Sequence, residues 1–144
     1  MNYIISFVMA LDPTQFIIGP AIVMAIILSI IEIGFVHADE VGLKWLTHAL
    51  HTIPFMFVFT FIAMNIHWAL GLIGVAENLY IDIGARVVIG IVAMVKIAAA
   101  ASVTGDGKIG ESKFHILIIG LLVMASPYIW VYALDPVVGK FIPF

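Results

Sequence analysis

His48 and His51 stand three residues apart in "HALHTIP" (48–54), a spacing that places both imidazoles on one face of a helix. Two such ligands need at least one more group to hold a transition metal, and His115 or Glu32 could supply it from a neighbouring helix. The same donor set could instead relay protons, because imidazole and intramembrane carboxylate are the groups that do so. The simplest reading treats His48 and His51 as polar residues at the membrane–water boundary. On that reading the chain by itself binds no cofactor, and haem or a transition metal is the alternative. His51 and His67 would lie roughly 24 Å apart along a helix, so they cannot ligate one ion or one haem. His67 and Asn65 are the most interior uncharged polar pair, suited to an inter-helix hydrogen bond.

The intramembrane charges form a second group. Asp82 precedes Arg86 by four residues, and the two can pair on one helical face. Lys96 and Glu32 fall at similar depth in two different apolar runs. A Glu32–Lys96 bridge is therefore expected, with separate snorkelling of each to the interface as the alternative.

Several motifs are decoys. "DGKIG" (106–110) resembles the middle of a calcium loop, yet the positions that need acids hold Ser102, Thr104 and Lys113. No serine–histidine–acid set, HExxH or potassium-filter sequence is present. With no cysteine, disulfides, thiolate metal sites and cysteine nucleophiles are excluded.

The elements that must position these residues follow from composition. The chain is 64% hydrophobic and 10% charged, with a mean hydropathy of +1.22. A soluble domain carries about 25% charged residues, so the solvent for most of this surface must be lipid. A net charge of −3 offers no basic patch for nucleic acid. A membrane-crossing helix needs about 20 apolar residues. Four runs qualify, at about 14–36, 54–75, 79–101 and 114–134, the last carrying a kink at Pro127. Residues 43–53 are expected to lie at the interface, with Pro54 either starting the second span or kinking one longer helix. Residues 2–11 lack the positive start and small-residue cleavage site of a leader, and are expected to form a short interfacial or re-entrant helix.

The predicted fold is an all-α integral membrane bundle of four transmembrane helices in a single domain. Lys44, Lys108 and Lys113 fall on one side of it, against Lys140 on the other. The positive-inside rule then makes loops 37–43 and 102–113 cytoplasmic and puts both termini outside, as in a prokaryotic cytoplasmic membrane. Gly84, Gly90, Ala93 and the alanines at 98–101 give the third span a narrow surface for close packing. Without extramembrane mass or catalytic motifs, the isolated chain is expected not to be an enzyme. The leading expectation is a small non-catalytic subunit of a larger membrane complex, redox or ion-translocating. Its partners would be the lipid bilayer and other membrane subunits. A homo-oligomeric channel or transporter built from copies of itself, and a haem- or metal-bearing anchor, are the two alternatives.

Overall fold

The computed structural model describes residues 16–40, 42–75, 78–104 and 112–141. Its long helices are α1 (Gly19–Asp39), α2 (Lys44–Leu72), α3 (Leu79–Thr104) and α4 (Lys113–Ile129). A π-helical turn (Trp130–Leu134), a short α5 (Asp135–Val138) and a 3-10 turn (Gly139–Phe141) continue from α4. Among the described residues there is no strand. The fold is an all-α bundle with four helices long and apolar enough to cross a membrane, the architecture of an integral membrane protein.

Local sequence accounts for most helix ends. Pro20 sits in the first turn of α1, where an N–H has no helical partner to lose. Glu40 is extended and stops α1, and Gly42, at φ 79°, makes the reversal into α2 that a side chain would disfavour. At the far end of α2, Gly74 takes φ 74°. The Asn78 side chain then caps α3 by accepting from the N–H groups of Tyr80 (3.1 Å) and Ile81 (3.2 Å). Ser112 does the same for α4, accepting from Phe114 N–H at 3.2 Å.

The helices differ from the expected spans in extent. Of the two arrangements expected at Pro54, one longer helix is found: α2 runs unbroken through Pro54, which lies on its exposed side. The first helix starts at Gly19 and continues through His37 to Asp39 rather than ending at 36. The third reaches Thr104. At Pro127 the ring removes the N–H that would bond the Val123 carbonyl. Ser126 Oγ donates to that carbonyl at 2.8 Å, and the wider π turn follows directly. The expected helix at 2–11 lies outside the described residues.

α2 packs against each of the other three helices, and α4 also touches α1 and α3. The core joins Met24 and Leu28 of α1, Met56 and Met64 of α2, Ala93 and Ile97 of α3, and Ile119 and Val123 of α4. Gly90 and Gly120 let α3 and α4 approach closely. A Cβ on Gly90 would overlap Met124 and stand 3.0 Å from the Gly120 carbonyl oxygen, while one on Gly120 would overlap Met94. Each methionine thus fills the notch left by the opposite glycine. α3 is the outlier in burial: 22% of its most apolar stretch is enclosed by the bundle, against 39% for each of the others.

Candidate functional site

Polar side chains inside the bundle gather at its two ends, with a sparser set between them. At the end where α2 stops and α3 starts, Asp82 and Arg86 are fully enclosed. Arg86 Nε donates to Asp82 Oδ2 at 2.8 Å and an Nη to Oδ1 at 2.9 Å, the bidentate geometry that one helical turn of separation permits. The other Nη donates to the Ala63 carbonyl of α2, tying the helices together. His67 of α2 brings Nδ1 to 3.6 Å from Asp82 Oδ1, and the guanidinium carbon lies 5.7 Å from the centre of the Tyr128 ring on α4. Side chains from three helices therefore meet at this cluster: His67 of α2, Asp82 and Arg86 of α3, and Tyr128 of α4.

Asn65 does something different. It accepts from Ile17 N–H at 2.7 Å and donates to the carbonyls of Ile17 (3.1 Å) and Phe61 (2.9 Å). Its amide satisfies both backbone groups of Ile17, two residues before α1, where no helix bond is available. Asn65 and His67, expected together, thus serve separate partners on different sides of α2.

At the opposite end, two adjacent acids at the close of α1 each hold a histidine. Glu40 Oε1 lies 2.9 Å from His48 Nδ1, and Asp39 Oδ2 lies 2.6 Å from His115 Nδ1. Asp39 Oδ2 also accepts from the Ser112 N–H at 2.8 Å. The His115 ring stacks on Phe35 at 4.3 Å, nearly parallel. His51 faces outward and bonds the Thr47 carbonyl of its own helix at 2.7 Å. His48, His51, His115 and Glu32 are therefore not brought together. Among the described residues no three histidine, cysteine or acidic side chains are placed to hold a metal ion.

Between the ends lies Glu32. It is fully buried, and neither carboxylate oxygen has a hydrogen-bond partner. Glu32 and Lys96 do not meet, because Lys96 points out of the bundle. The neighbouring Ile97, about 100° further round the helix, takes the inward position. Ser29 Oγ, three residues before Glu32, and Thr60 Oγ1 on α2 are likewise buried and unbonded. Thr52 is buried and donates to Ala49 O at 3.2 Å.

Sequence reasoning passed over Asp39 and Glu40 as histidine partners, and Ser29 and Thr60 as interior polar groups. "HADE" at a helix end, facing helices that begin near histidines, was the available signal for the first pair. The hydroxyls carried none, since serine and threonine in apolar helices usually bond their own backbone. Comparisons with protein-family models, curated proteins and solved structures find no match to this chain.

Proposed function

We propose that the chain is a small non-catalytic subunit of a larger membrane complex, and that it docks through the outward face of α3. The observation that carries this is Gly84. Glycine in a helix interior costs about 1 kcal/mol relative to alanine. Gly90 and Gly120 return that cost through the α3–α4 contact, but a Cβ on Gly84 would meet nothing within 4 Å. Its smallness serves no contact inside the bundle. Val88, Ile91 and Val95 continue the same outward face, with Val88 58% and Val95 62% exposed. Branched side chains with restricted rotamers lose little freedom when a second helix packs on them. In lipid, where burial alone does not draw helices together, close packing against small and rigid residues is the main attraction.

Placing a photo-crosslinking amino acid at Val88 in the host membrane tests this, with Val58, an exposed residue of α2, as the control. The expected product is an adduct of discrete mass with a different membrane protein from Val88 and none from Val58. An adduct of twice the chain's own mass would replace the hetero-complex with a homo-oligomer. Lipid adducts alone from both positions would remove the docking face.

A further inference from the structure

We infer that the buried polar side chains facing the bundle interior, chiefly from α1 and α2, form a proton path through the protomer, with Glu32 as its central carrier. The inference goes beyond a docking role and does not depend on it.

The depth of α1 relative to α2 is fixed at both ends. Asn65 holds Ile17 at one end, and His48 meets Glu40 at the other. α2 presents His48, Thr52, Thr60 and His67 along one buried stripe, interrupted by Met56. Interpolating between the two fixed contacts puts Glu32 and Ser29 of α1 at the level of the Thr52–Met56 turn. The polar groups of α1 thus occupy the interval that Met56 leaves open. Beyond Thr60, the next polar rung of α2 is His67, roughly 10 Å along the axis. Arg86, reaching the Ala63 carbonyl, falls inside that interval. Polar side chains therefore recur at Glu40–His48, Thr52, Glu32, Ser29 and Thr60, and again at His67 beyond an interval held by the paired Arg86.

Bonding separates this file from structural glue. Arg86, Asp82 and Asn65 are satisfied by partners at the distances given above, as groups that hold helices together should be. Ser29 Oγ, both Glu32 oxygens, Thr60 Oγ1 and His67 Nδ1 are buried without hydrogen bonds. Buried polar atoms are nearly always paired, so several exceptions inside one small bundle call for an explanation. A carboxyl inside a membrane is costly as a bare ion, and such residues mark ion and proton routes. Glu32 answers that cost by carrying a proton.

The transfer balances simply. A proton leaves the Glu40–His48 end and forms an O–H bond at one Glu32 oxygen. The carboxylic acid then releases its proton past the Ser29 and Thr60 hydroxyls, with water completing the relay, to the unbonded His67 Nδ1. An N–H bond forms there, the other ring nitrogen gives up its proton, and the remaining Glu32 carboxylate accepts the next. No electron moves and no other bond changes. Asp82 neutralises Arg86, so the far end presents no uncompensated positive charge.

The path lies within one chain, so the purified full-length protein suffices for the test. It is reconstituted in phosphatidylcholine–phosphatidylglycerol vesicles containing a pH dye, in sodium-free medium, and uptake is driven by a potassium gradient with valinomycin. The expected result is acidification faster than in empty vesicles, reduced by about 10²-fold in Glu32→Gln, the scale of losing one positioned proton-transfer group. Helical circular dichroism and a single elution peak show that the variant is folded. If Glu32→Gln does not fold, Thr60→Val, which keeps shape and removes only the hydroxyl, is expected to slow uptake in its place. Wild-type uptake no faster than in empty vesicles overturns the inference. So do wild-type rates in folded Glu32→Gln or Thr60→Val, or uptake that requires sodium.

Discussion

Replacing Asp82 with alanine strands the Arg86 guanidinium inside the bundle. Two charge-assisted hydrogen bonds, at 2.8 and 2.9 Å, are lost, while the bond to the Ala63 carbonyl and the neighbouring Tyr128 side chain remain. Bonds to charged groups contribute about 1.5–3 kcal/mol each. Some of that is recovered, because Tyr128 stays beside the guanidinium and water can enter from the nearby helix end. Breaking a buried pair by removing one partner costs about 3–5 kcal/mol, and the lower half of that range is expected here. The companion change is Asp82→Ala combined with Arg86→Met, which removes both charges and leaves an apolar chain of similar length. Its cost should be smaller than that of Asp82→Ala alone, because the stranded charge is gone. Reversible unfolding in mixed micelles, titrated with a denaturing detergent, measures both. A loss below about 1 kcal/mol for Asp82→Ala would refute the reasoning, since surface ion pairs contribute about that much. So would a double variant less stable than either single one.

The two kinds of glycine should respond in opposite directions. Gly90→Ala must push Met124 aside and presses on the Gly120 carbonyl, which should destabilise by about 1–3 kcal/mol as overpacking does. Gly84→Ala has open space and should stabilise the isolated chain by about 0.5–1 kcal/mol, readable in the same micelle titration, while weakening the Val88 crosslink. Orientation is testable with single cysteines at the exposed Lys113 and Lys140. The lysine asymmetry predicts that position 113 labels from the cytoplasmic side and 140 from outside, and labelling from one common side would remove the four-span topology.

The bundle itself was legible because composition and the lengths of apolar runs report directly on the solvent. Asp82–Arg86 was legible because a one-turn spacing within a helix is a property of the backbone. What failed was angular position. Glu32 and Lys96 lie at comparable depth, but α3 is apolar on nearly every side, so its sequence says little about which face turns inward. Lys96 and Ile97 differ by one residue and end on opposite sides of the bundle wall. Pro54 left two readings open for a related reason: a proline can start a helix or, on the exposed side of a long one, be absorbed by tilting or bending, and here the second holds. Glu40–His48 depended on the left-handed turn at Gly42, which folds the chain back by an amount that spacing alone does not disclose.

The paired acids at the end of α1 also bear on how the chain is assembled as it is made. Glu40 finds His48 only eight residues later, so the α1–α2 hairpin can close almost as soon as it is synthesised. Asp39, its immediate neighbour, must wait 73 residues for the Ser112 amide and slightly longer for His115. At about 5–20 residues per second, that interval lasts about 4–15 s. Throughout it the Asp39 carboxylate has to stay among headgroups and water, which pins the end of α1 at the membrane surface and keeps the hairpin from sinking or sliding. The arrival of α4 then relieves a charge that has been holding its place open, and the last long helix becomes the latch of the bundle.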